Sequence, residues 1–129
     1  MNLNGKILFK HIKFLKKESK FWNPVLLSYD TNIPKKRLEI FLEISEEAFF
    51  YYSKCNDLEL IKIKQKQNID ILSLLNWTLL QSAWLTGRIT GNWNNTYYVT
   101  QKCNIQNIKD CESIIKSFDF IKDAIENLG

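Results

Sequence analysis

The stretch IDILSLLNWTLLQSAWL at residues 69–85 decides the fold of this chain. Its apolar side chains cover most of the circumference of a helix, which only Asp70, Asn76 and Gln81 clearly interrupt. A helix that is apolar on nearly all sides lies in a protein core or crosses a membrane. This stretch falls short of the roughly 20 apolar residues that a bilayer requires. We therefore predict a buried helix at the centre of the fold.

The segment at residues 5–21 and the last part of the chain have the apolar spacing of amphipathic helices. We expect the first helix to end at Pro24, because proline lacks the backbone N–H that continues a helix. The second is predicted to start at Asn104 or Asn107. Side chains predicted to face inward are Leu8, Ile12 and Leu15 in the first helix, and Ile108, Cys111, Ile115, Phe118, Ile121, Ala124 and Ile125 in the second.

The apolar pattern of two further segments is compatible with either a helix or a strand. Residues 34–52 suit a long helix that begins at Pro34 and buries one apolar stripe, although apolar residues alternate along 36–44 as in a strand. Residues 58–66 also alternate, with lysine at every second position between 62 and 66. We prefer the helix for the first segment. Its predicted inward stripe is Leu38, Phe41, Leu42, Ser45, Ala48, Phe49 and Tyr52.

These elements predict a mainly α fold, formed by residues 1–129 as a single domain. We expect a bundle of four to five helices around the central helix at 69–86. The alternative is an α+β arrangement with a small sheet. At 129 residues the chain is long enough to bury one core.

The residues that common catalytic sites need are scarce. His11 is the single histidine, and no P-loop or GxGxxG motif occurs. Cys55, Cys103 and Cys111 form no CxxC pair. We therefore expect no enzymatic activity, no metal site and no cofactor. An odd set of cysteines and the lack of a signal-peptide pattern predict reduced thiols in the cytoplasm.

The basic residues indicate origin more than chemistry. Sixteen are lysine and two are arginine, and the net charge is +4. This bias is typical of AT-rich coding DNA, as in a low-GC bacterial genome or a mobile island. The charge is therefore weak support for an anionic partner.

Two features favour the recognition of another protein. An acidic stripe opposite the apolar face of residues 34–52 could hold a basic surface through fast, salt-sensitive association. An asparagine-rich loop after Gly91 carries aromatic residues of the kind that anchor interfaces, whereas Trp77 and Trp84 are predicted to be core residues. The predicted partner-binding residues are Glu39, Glu43, Glu46, Glu47, Trp93, Tyr97 and Tyr98.

Together these features predict a protein-binding inhibitor, most concretely an immunity or antitoxin protein that occludes a nuclease-type bacterial toxin. The alternative is a nucleic-acid-associated accessory protein of a phage or defence system. In that case the contacts would come from Lys10, Lys13 and Lys17 on the first helix. We expect no membrane partner.

Overall fold

The structure, a computed structural model, describes residues 2–28, 32–94, 96 and 111–127. Over these residues the helices are, in order, α1 (Leu3–Leu27), α2 (Lys35–Lys54), α3 (Asp57–Gln67), α4 (Ile71–Thr90) and α5 (Cys111–Glu126). The described part contains no strand, so the mainly α bundle is confirmed and the small-sheet alternative is wrong there. None of these five helices is both long and apolar enough to cross a bilayer.

Both ambiguous segments are helical, and polar caps separate α3 from its neighbours. The Asn56 side chain accepts a hydrogen bond from the backbone N–H of Glu59 at 2.9 Å and so begins α3. Asn68 ends α3 in the left-handed conformation, with φ at 50°. Asp70 begins α4 by accepting the backbone N–H of Ser73 at 3.3 Å. The caps at Asn56 and Asn68 therefore mark the two ends of α3, whereas α2 begins at Pro34 without a side-chain cap.

The predicted end of the first helix at Pro24 is wrong, because α1 continues to Leu27. The N–H of Ser28 reaches the carbonyl of Pro24 at 3.1 Å, which completes the last turn beyond the proline. The Arg88 side chain of α4 donates to the carbonyls of Val25 and Ser28. A contact distant in sequence therefore supports a turn that proline alone would leave weak.

Two other helix boundaries differ from the prediction by a few residues. Pro34 is the N-cap of α2 and not its first helical residue. Gly87 lies inside α4, and the helix ends at Gly91, whose φ of 72° suits glycine. In α5, Ile114 is buried while Ile115 is only half-buried. The start of this helix before residue 111 lies outside the described residues.

The core lies where α4 packs behind a layer formed by α1, α2 and α5. In this layer α2 is the middle helix, since it bonds to α1 through Glu47 and to α5 through Glu46. Helix α4 contacts all three members of the layer, and α3 packs on α1. The largest fully buried side chains include Trp22, Phe41, Phe49 and Phe118. The predicted central position of α4 is thus confirmed.

Hydroxyl groups on α4 are buried without needing a partner from another helix. Thr78, Ser82 and Thr86 are all fully buried, and each hydroxyl donates to a carbonyl in the preceding turn of α4. Ser45 on α2 does the same toward Phe41 at 2.6 Å. The hydroxyl groups of these small side chains are hydrogen-bonded within their own helix, so the helix surfaces can pack closely.

Candidate functional site

The neighbours of α2 divide its acidic stripe. Glu46 Oε2 lies 2.8 Å from Lys122 Nζ on α5, and Glu47 Oε2 lies 2.9 Å from His11 Nε2 on α1. Both glutamates are half-buried, whereas Glu39 and Glu43 are exposed. Two of the four predicted carboxylates therefore already have partners within the chain, and two face solvent.

The pair between Lys122 and Glu46 is electrostatically well defined. Burial by itself lowers the pKa of Lys122, but the hydrogen bond to Glu46 and the charges of Glu46, Asp119 and Glu43 raise that pKa overall. Lys122 Nζ is the cation within reach of the Glu46 Oε2 atom, which has no other hydrogen-bond partner among the described residues. Lys122 therefore stays charged at neutral pH and forms an ion pair with α2.

A groove of about 300 Å³ runs between α2 and α5 beside this pair. Leu42 and Ile125 supply buried apolar side chains, while the carboxylates of Glu39, Glu43 and Glu126 stay exposed around them. The groove thus combines an apolar floor with an acidic rim. An arginine or lysine from another molecule fits such a site, because its methylene stem covers apolar surface while its charged head meets carboxylates.

Trp93 lies against α4 instead of inside the core. A Cβ atom added to Gly87 would come within 2.6 Å of Trp93 Cε3, so the glycine makes room for the ring. The ring centroids of Trp84 and Trp93 are 5.0 Å apart, and the two residues are 44% and 41% exposed. The prediction that Trp84 is a core residue is therefore wrong. Tyr97 and Tyr98 lie outside the described residues.

Sequence reasoning missed this aromatic pair because it ended the central helix at residue 86, before Gly87, and took Trp84 for a core residue. The usable signal was the spacing of Trp84 and Gly87, which are three residues apart and therefore share one helical face. Thr96 strengthens the arrangement, because its hydroxyl donates to the carbonyl of Ala83 at 3.3 Å. The chain after α4 thus folds back along the helix it has just left.

The acidic groove and the tryptophan pair do not form one continuous surface. The groove lies between α2 and α5, within the layer of three helices. Trp84 is on the exposed side of α4, which packs behind that layer. A partner that docks flat on the groove would therefore leave the tryptophan pair uncovered.

The predicted lysines of α1 are exposed, as are two more on the same helix face. The exposed set is Lys6, Lys10, Lys13, Lys17 and Lys20. Arg37 is not part of a basic surface, because it bonds to both carboxylate oxygens of Glu18, at 2.7 and 3.2 Å, and lies 3.4 Å from the centre of the Phe21 ring. Because α3 is helical, Lys62 and Lys66 share one face at four-residue spacing, whereas Lys64 points to the opposite side.

Cys55 and His11, two residue types that often act in catalysis, are held in contacts within the fold. Burial, and then the charge of Glu59, raises the pKa of the Cys55 thiol from 9.0 to about 11. A thiol with this pKa is almost entirely protonated at neutral pH and is a poor nucleophile. His11 is bonded to Glu47 and packs edge-on against Tyr51. Among the described residues, no three metal-ligating side chains come together.

Comparison of the chain with protein-family models, with curated proteins and with solved structures finds no match. In the groove between α2 and α5, charged and apolar side chains from two helices converge.

Proposed function

We propose that this protein is an inhibitor that binds another protein and covers its working surface. The observation that carries this proposal is the groove between α2 and α5, where Glu39, Glu43 and Glu126 surround the apolar floor. A basic side chain of the partner would enter the groove. Hydrogen bonds to charged groups contribute roughly 1.5–3 kcal/mol each, which makes such a residue a suitable anchor.

The ion pair between Lys122 and Glu46 supports selectivity for a cation. Lys122 lines the groove and is paired with Glu46, so negative charge at the rim comes from the exposed carboxylates of Glu39, Glu43 and Glu126. An incoming cation meets exposed carboxylates there, whereas an incoming anion meets repulsion. Surface charge of this kind speeds association and makes it sensitive to salt.

We further propose that the partner is a cytoplasmic bacterial toxin with a basic, nucleic-acid-binding surface, which would make the protein an immunity or antitoxin protein. Occlusion of a toxin requires shape and charge but no catalytic residue. The lysine bias of the chain accords with the AT-rich mobile islands on which such pairs occur. The low reactivity expected of Cys55 suits a thiol that stays reduced in the cytoplasm.

The test begins with affinity capture of the tagged protein from its native host after nuclease treatment. We expect one stoichiometric protein partner, encoded by a neighbouring gene, that remains bound in moderate salt. Calorimetry with this purified partner should then show at least a 100-fold loss of affinity for the variant E39K/E43K. A change of two charges in the centre of an interface reaches this size.

The control is D123K, since Asp123 is an exposed carboxylate on α5 that does not line the groove. It should bind the partner within threefold of the wild type. Unchanged affinity of E39K/E43K would contradict the proposal that the groove binds the partner. Failure to capture any protein partner would contradict the inhibitor function itself.

A further inference from the structure

The outer face of α1 carries a single-sign row of charge that the groove does not use. Lysines recur along it at spacings of four, three, four and three residues, which places them on one helical face. From Lys6 to Lys20 this row extends about 21 Å, at 1.5 Å per residue. All five lysines are exposed.

This row has no counter-charge on its own helix. The one acidic residue of α1 is Glu18, which is buried on the inner side and held by Arg37 of α2. Within the part of the chain that the structure describes, none of the five lysines forms an ion pair. Lys16 projects sideways and donates to the carbonyl of Gln67 at 2.7 Å, outside the row.

We propose that this lysine row binds the phosphate backbone of a nucleic-acid duplex without reading its bases. Phosphates of one strand recur every 3.4 Å along a duplex, so a row of about 21 Å faces roughly six of them. Lysine acts on phosphate as a point charge, whereas bidentate readout of guanine uses arginine. Both arginines of the chain are bonded elsewhere, Arg37 to Glu18 and Arg88 to the end of α1.

The chemistry of the face favours nucleic acid over a membrane surface. Helices that lie in a bilayer interface insert large apolar side chains beside their lysines. On α1 the exposed large apolar residues of the described structure are Leu3 and Leu27, which lie at its two ends beyond the row. The row itself offers charge without an apolar group to insert.

Fluorescence anisotropy with a labelled 20-base-pair duplex of scrambled sequence tests the proposal. For the full-length chain we expect binding in 50 mM salt that weakens steeply toward 200 mM. The variant K10Q/K13Q/K17Q should bind at least tenfold more weakly at 50 mM. Its slope of log affinity against log salt should fall by about 2.7, since each phosphate contact contributes about 0.9.

The matched control is K62Q/K64Q/K66Q, which removes the same charge from exposed positions on α3. It should retain affinity within threefold, and circular dichroism should show both variants folded. Equal losses in the two variants would overturn the proposal in favour of net charge alone. Absence of duplex binding at 50 mM, or binding only to vesicles rich in anionic phospholipid, would also overturn it. The result is independent of the groove, because neither variant changes a residue that lines it.

Discussion

The outer faces of α1 and α2 each carry like charges at helical spacing, yet the two rows meet different surroundings in the bundle. On α2, neighbours on both flanks pair with Glu46 and Glu47, because α2 is the middle helix of its layer. On α1, the lysine row points away from every helix that packs on it, and all its members stay exposed. The position of a helix in its layer thus decides how much of a charged face remains for a partner.

Removal of Arg37 should produce the largest effect, because it breaks the part-buried ion pair that joins α2 to Glu18 of α1. Glu18 keeps only 8% of its side chain exposed and would lose its bidentate partner in R37A. Loss of one member of a buried pair costs 3–5 kcal/mol. The 42% exposure of the Arg37 side chain reduces this to about 2–3 kcal/mol. Urea unfolding measures this loss of unfolding free energy, and a loss below about 1 kcal/mol would show that the ion pair between Arg37 and Glu18 does not stabilise the fold.

The same substitution, made at the lysine that pairs with the α2 face and at a lysine of the α1 row, separates compensated from uncompensated charge. K122M removes the partner of Glu46 and should lower the free energy of unfolding by about 1 kcal/mol. K13M removes a lysine of the α1 row and should change it by less than about 0.5 kcal/mol. Equal effects in urea unfolding would show that the two faces do not differ.

The pair between Lys122 and Glu46 also predicts a pH dependence. The folded pKa of Lys122 is raised above its ordinary value of 10.5. Its contribution to stability is therefore complete below pH 10.5 and is lost as the pH rises through the folded pKa. Unfolding curves from pH 8 to 12 should show a steeper alkaline loss for the wild type than for E46Q, and parallel curves would contradict the pair.

The smallest effect should come from Glu43, which repels its neighbours along α2. Glu39, Glu43 and Glu47 follow each other at four-residue spacing, where like charges destabilise a helix by about 0.2–0.5 kcal/mol per pair. Because the Glu43 charge also attracts Lys122, the two effects partly offset each other, and E43Q should change the free energy of unfolding by less than about 0.5 kcal/mol in thermal unfolding. A clear destabilisation would mean that the Glu43 carboxylate contributes to the fold and is not reserved for a partner.

Much of the fold could be predicted because its signals are local. The apolar stretch that starts at residue 69 forms α4, and the predicted apolar face of α2 is the one that packs inward. The end of α1 could not be predicted at Pro24, because Arg88 supports that turn from 60 residues away. The end of the central helix at residue 86 was wrong for the same reason, because Gly87 lies inside α4 and Trp93 covers it after the chain has reversed direction.

Of the candidate groove, only the half contributed by α2 could be predicted. Helical spacing already placed Glu39 and Glu43 on one face. Lys122, Ile125 and Glu126 complete the groove from α5, and no spacing rule relates them to α2. Which glutamates would find partners within the chain depended on the same packing.

The sequence by itself determined the helical class, the central apolar helix and the charged faces of α1 and α2, because periodicity and capping act within a few residues. Only the tertiary structure decided which charges remain available, where the tryptophans lie and how α2 and α5 form a groove. These features depend on contacts between residues far apart in the chain, and such contacts arise only when the apolar faces pack together.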